Sequence, residues 1–101
     1  MIFIVKTIRV TKDSDEEKWY GPFLADTDAF FILKDDAFRC VAFNYGDLSE
    51  NGYNQYAVIC SVKQGVYPIP HEEQWFQWNK EKNAYEMCDR PAFMHDYGLP
   101  L

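Results

Sequence analysis

The sequence predicts a small, mainly β or α+β domain: a curved antiparallel sheet of about five to seven strands with at most one or two short helices. Three observations carry this. Runs of Ile, Val, Thr and aromatic residues recur along the chain, Gly/Asn/Asp/Pro clusters separate them, and 18% of residues are aromatic while 48% are apolar. At 101 residues the chain is read as one compact domain, 1–101.

The first strand is residues 1–10. Phe3, Val5, Thr7 and Arg9 share one face, and Ile2, Ile4, Lys6, Ile8 and Val10 the other. Both faces are apolar near the start, so this strand is expected inside the sheet rather than at its border. The acidic run Asp13–Glu17 reads as a solvated loop, and Gly21-Pro22 marks a bend or the end of an edge strand.

Ala29–Leu33 and Phe38–Phe43 are two β-prone runs separated by Lys34-Asp35-Asp36-Ala37, which suits a hairpin. The rival is a helix over 28–38 capped by Asp26 or Thr27. Phe30-Phe31-Ile32 and Cys40-Val41-Ala42-Phe43 favour the strands. Residues 44–54 form the longest clear loop. Tyr56–Lys63 reads as a further strand, and Val66 to Pro70 as an extended segment. Gln74–Asn79 and Ala84–Cys88 flank a four-residue connection and predict a second hairpin. A helix over 72–82 competes, because Trp75, Trp78 and Lys82 lie at helical spacing. One helical turn is expected around Ala92–Asp96.

Charge is unevenly distributed. The net charge is −6, with +3 over residues 1–12, −7 over 13–50 and −2 over 51–101. An acidic chain repels phosphate backbones, which argues against direct nucleic-acid binding and permits a basic protein surface as partner. The opening Met1–Val5 is too short for a membrane span and lacks the features of a signal peptide, so a cytoplasmic protein is expected. Cys40, Cys60 and Cys88 are odd in number and never form a C-x-x-C pair, the pattern of reduced thiols.

Residue types for chemistry are sparse. Cys88 and His95 lack the short repeated spacing of a zinc site, and Asp13-Ser14-Asp15-Glu16-Glu17 lacks the glycine and distal glutamate of a calcium loop. Hence no metal or cofactor is expected. A Cys88–His95–Asp96 grouping requires the tail to fold back, with nothing local to enforce it. His71, between Pro70 and Glu72, reads as a loop residue. The pairs Asp35-Asp36 and Glu72-Glu73 point to opposite faces of an extended segment, unlike two carboxyls converging across a cleft. No phosphate loop, nucleophile elbow or dinucleotide fingerprint occurs. The expectation is therefore a non-enzyme.

Recognition remains. Rings stand beside acids at Trp19 and Tyr20, at Tyr45 and Tyr53, and at Trp75 and Trp78. The expected partner-binding set joins these rings to Asp13, Asp15, Glu16, Glu17, Asp35, Asp36, Asp47, Glu50, Glu72 and Glu73, with Asp26 and Asp28 adding to the charge. In size, acidity and lack of a catalytic set the chain resembles phage anti-defence inhibitors (anti-CRISPR and anti-restriction proteins that mimic DNA) and immunity proteins against nuclease toxins. The resemblance is one of composition and covers no motif. It implies an inhibitor of a basic, nucleic-acid-binding protein. The alternatives are a small-molecule-binding barrel or sheet lined by aromatic rings, and a structural subunit in which Met1–Val10 adds to the sheet of another chain.

Overall fold

The computed structural model describes residues 1–10, 23–63 and 70–94, with only the backbone at Phe23, Pro70 and His71. Five strands form one antiparallel sheet: β1 (Ile2–Val10), β2 (Phe23–Phe31), β3 (Tyr56–Val62), β4 (Pro70–Asn79) and β5 (Ala84–Cys88), in the order β2-β1-β3-β4-β5. A helix, α1 (Lys34–Ala42), follows β2, and a 3-10 turn spans Ala92–Met94. The mainly β fold expected from the sequence is the fold observed. The expected strands at 1–10 and 56–63, the second hairpin and the helical turn after residue 91 are all present, whereas the helix over 72–82 is not: those residues are β4 and its turn.

β1 lies between β2 and β3, antiparallel to both. β2 and β3 therefore run parallel to each other, and α1 carries the chain across β1 between them. With both edges of β1 taken, Met1–Val10 offers no edge for a second chain, which removes the expected mode of edge addition. Among the described residues the open edges belong to β2 and β5.

The hairpin expected over 29–43 is corrected by the structure. β2 ends at Phe31, and Phe38–Phe43 falls in α1 and its cap. The helix also differs from the rival over 28–38, starting six residues later. Ala37, Cys40 and Val41 recur at i, i+3 and i+4 and are buried, which turns one stripe of α1 onto the sheet. Asp35 and Asp36 occupy the first turn, where the helix dipole favours negative charge. At the other end Asn44 takes φ 49°. Its N–H reaches Val41 O at 3.2 Å, and the Tyr45 N–H reaches Cys40 O at 3.0 Å. These two bonds form the Schellman arrangement that ends a helix with a left-handed residue.

Both faces of the sheet carry a packed apolar cluster. On the helix side Val5, Ala57, Ile59, Phe76 and Tyr85 pack with Ala37, Cys40, Val41 and Leu48. On the other, Ile8, Val58, Cys60, Val62 and Trp75 pack with Met94 from the C-terminal turn. Arg90 clamps that turn down. Its guanidinium donates to Glu73 at 2.5 and 2.9 Å and to Met94 O at 2.9 Å, 5.9 Å from the Trp75 ring centre. Lys6, paired across to Val58, is buried on this second face, where its Nζ donates to Thr27 Oγ1 at 2.6 Å.

Candidate functional site

The loop of residues 44–54 is built rather than slack. Asn44, Gly46, Asp47, Glu50, Asn51 and Gly52 all have positive φ, and the turns are tied by side chains. Asp47 Oδ1 accepts from the Asn51 N–H at 3.2 Å, and Asn44 Oδ1 accepts from the Ser49 N–H at 2.8 Å. Asn54 anchors the far end. Its Nδ2 donates to Leu48 O at 2.9 Å, its Oδ1 accepts from Arg9 Nε at 3.2 Å, and its carbonyl accepts from the Tyr85 hydroxyl at 2.7 Å.

This loop places two clefts on its two flanks. The first, about 360 Å³, is lined by Asp28, Asp47, Glu50, Tyr45, Leu48 and Cys40, among others. Three carboxylates thus arrive from β2 and two turns of the loop. Asp28 sits where the β1–β2 register shifts between Val5 and Lys6, and it accepts from Thr7 Oγ1 at 2.6 Å. Partial burial holds its carboxyl above the usual range against the pull of that hydrogen bond, and Asp26 and Glu50 push the same way. Tyr45 stacks on Phe43 with ring centres 5.9 Å apart, and both rings are largely exposed.

The second cleft, about 720 Å³, lies where β1 ends and β3 begins. Arg9, Tyr53, Gln55, Tyr56, Gln77 and Lys80 supply its chemistry. Arg9 lies 5.5 Å from the centre of the Tyr53 ring and pairs with Glu50, so one ion pair stands between the two clefts.

No protein-family model matches this chain, and no curated protein or solved structure matches it. What it does must be read from these residues alone.

The expected partner-binding residues separate into groups. Asp13, Asp15, Glu16, Glu17, Trp19 and Tyr20 lie outside the described residues. Tyr45, Asp47, Glu50 and Tyr53 come together on the loop. Asp35 and Asp36 sit at the start of α1, about 13 Å of helix from its far end, and Asp36 pairs with Arg39 at 3.1 Å. The two are consecutive on a helix rather than on opposite faces of a strand. Glu72 is exposed on β4, whereas Glu73 is held by Arg90 and accepts from Trp75 Nε1 at 3.2 Å. Trp75 is a core ring, 2% exposed, and is corrected from surface anchor to packing residue. Trp78 is half-buried and meets Tyr85 edge to face at 5.0 Å. Arg9 and Phe43 stand outside the partner-binding set expected from the sequence, and Asp28 has no place of its own in it. Asp26-Thr27-Asp28 disguised the strand that carries Asp28, because Asp is depleted in strands.

Cys40, Cys60 and Cys88 are free thiols. Burial raises all three, Cys60 to about 11, so each stays protonated at neutral pH. His95 and Asp96 of the Cys88 grouping lie outside the described residues. Among the described residues no group of three or more His, Cys, Asp or Glu is placed to hold a metal ion, and no helix is long and apolar enough to cross a membrane.

Proposed function

We propose that the protein is a non-catalytic cytoplasmic inhibitor that binds a basic protein and covers its nucleic-acid-binding surface. The observation that carries this reading is the convergence of Asp28, Asp47 and Glu50 beside the exposed Phe43–Tyr45 ring pair. Partial burial, with the charges of Asp26 and Glu50, holds the Asp28 carboxyl up, and an incoming cation relieves that repulsion. An Arg or Lys side chain of a partner fits that need, with the rings supplying a desolvated anchor and a cation–π face. The same arrangement suits a protein that occupies a phosphate-binding surface, because it presents negative charge where phosphates would sit. Asp35 and Asp36, a separate acidic pair at the start of α1, act on association rate more than on affinity.

The test is affinity purification from the native host at low salt, with mass spectrometry of what is retained. A basic, nucleic-acid-binding protein is expected. Its retention should fall steeply at about 0.5 M salt, where screening shortens to a few ångströms. Tyr45→Ala combined with Asp28→Asn should weaken it by at least about tenfold, or ~1.4 kcal/mol. Salt-insensitive binding, or a captured partner without a basic surface, sinks the reading.

A further inference from the structure

We infer that the second cleft, bounded by Arg9, Tyr53, Tyr56 and Lys80, is a binding site for a small planar anion: an aromatic ring carrying a phosphate or carboxylate. Its lining residues differ from those of the acidic cleft, and the two sites meet only at the Arg9–Glu50 pair.

The cleft inverts the character of the chain. Net charge is −6, and Arg39, Lys82 and Arg90 are each spent on a carboxylate, at 3.1, 2.8 and 2.5 Å. Lys80, in the β4–β5 turn, is exposed and has no acidic partner among the described residues. Arg9 is held rather than free: Asn54 Oδ1 takes its Nε, Glu50 pairs with its terminal nitrogen, and the Tyr53 ring lies alongside. A guanidinium fixed on these sides loses little freedom when it takes one more acceptor.

The remaining lining is rich in donors. Gln55 uses its Oε1 to accept from the Val10 N–H at 2.9 Å, which fixes the amide and leaves its NH₂ group as donor. Gln77 adds an exposed amide beside the half-buried one of Gln55. Tyr53 is 64% exposed and Tyr56 half-buried, so ring surface is available beside the donors. A volume of about 720 Å³ falls in the range of ligand clefts. The size of the ligand follows from electrostatics. An extended polyanion meets the repulsion of the whole acidic chain, whereas a single small anion senses mainly charges within a Debye length of about 8–10 Å.

Trp78 gives the readout. A Cβ placed on Gly52, in the cleft wall, would lie 3.1 Å from Trp78 Nε1, so the indole backs directly onto the wall. The intact protein is titrated with AMP and with 4-hydroxybenzoate while tryptophan fluorescence is followed. Adenosine and inorganic phosphate serve as half-probes for ring and charge. At least one of the two anions should saturate at about 0.1–1 mM, at least about fivefold tighter than either half-probe. AMP alone saturating assigns the site to a phosphate, and 4-hydroxybenzoate alone to a carboxylate. Lys80→Gln and Tyr53→Leu, both at exposed positions, should each weaken binding at least about fivefold with an unchanged melting temperature. The inference is overturned if neither anion saturates below about 10 mM, if a half-probe binds as well as the whole, or if both variants stay within about twofold of wild type.

Discussion

Tyr85→Phe isolates one oxygen that ties the 44–54 loop to the sheet. Tyr85 is 6% exposed on β5, and its hydroxyl donates to the Asn54 carbonyl at 2.7 Å. Phenylalanine preserves the packed ring and its edge-to-face contact with Trp78, but leaves a buried carbonyl with no donor from that side. An orphaned buried acceptor costs about 1–3 kcal/mol. For a domain of this length each kcal/mol lowers Tm by about 4–8 °C, so a drop of at least about 4 °C is expected. The assay is urea unfolding followed by tryptophan fluorescence at pH 7. Tyr56→Phe serves as control, since the Tyr56 hydroxyl has no hydrogen bond among the described residues; it should cost less than about 0.5 kcal/mol. The pH dependence has a definite sign. Burial, with the charges of Asp28, Asp47 and Glu50, raises the Tyr85 phenol above its ordinary 10.0. Its stabilising effect is therefore complete below pH 10 and is lost above it, as the unfolded phenol ionises while the folded one cannot. Phenylalanine lacks that loss, so the two stability curves should converge as pH rises past 10. A Tyr85→Phe cost no larger than that of Tyr56→Phe, or curves that stay parallel to pH 11, would refute the reasoning.

Lys6→Met should leave stability at pH 7 unchanged or raise it by up to about 1 kcal/mol, because the stem packing is kept and a buried cation is removed. Burial lowers the Lys6 pKa below 10.5 against the pull of Cys60, Asp28 and Asp26, so wild type gains stability as pH rises through the folded value towards 10.5. The advantage of the variant, measured by urea unfolding from pH 7 to 10.5, should shrink over that range, and a loss above about 1 kcal/mol at pH 7 counts against it. Gly52→Ala should destabilise by about 1–2 kcal/mol in the same assay, since Gly52 has φ +88° and a Cβ there meets Trp78 Nε1 at 3.1 Å; a neutral result contradicts the close approach.

The sheet was legible where alternation and turn chemistry agreed. In Tyr56–Val62 one face of residues packs to each side, and Lys80–Asn83 closes a hairpin as its composition suggests. Asn79 Oδ1 accepts from the N–H groups of Glu81 and Lys82 at 2.9 and 3.1 Å, and Asn83 takes φ 54°. α1 was misread because Phe38, Cys40 and Val41 favour strands one by one. The stronger signals were relational: Ala37, Cys40 and Val41 at helical spacing, acids in the first turn, and Asn44 just past the last apolar residue. Propensity lost to packing, since the stripe could bury only as a helix across β1. Recurring rings and acids also left the site half-legible. Tyr45, Asp47, Glu50 and Tyr53 are neighbours in sequence and stay together in space. Asp28 reaches that loop only through the β1–β2 pairing and the register shift between Val5 and Lys6, and Arg9 through the β1–β3 pairing that sets Ile8 against Tyr56, which no local pattern announces.

The Arg9–Glu50 pair gives the two clefts a common element, and the sign of their coupling follows from charge. Glu50 lines the acidic cleft, while Arg9 lines the donor-rich one. A basic side chain entering the first competes for Glu50 and leaves Arg9 with less neutralising charge, which strengthens an anion in the second. By linkage the anion must favour the basic partner equally. The pair is exposed, with side chains 38% and 64% accessible, so the effect is modest. Glu50→Gln separates the two roles in one protein. It should tighten AMP binding by about two- to fivefold and weaken capture of a basic partner by a similar factor, both fading at high salt. Opposite shifts from one substitution are what a shared ion pair requires. Parallel losses in both assays would mean that Glu50 merely holds the loop in shape and that the clefts are independent.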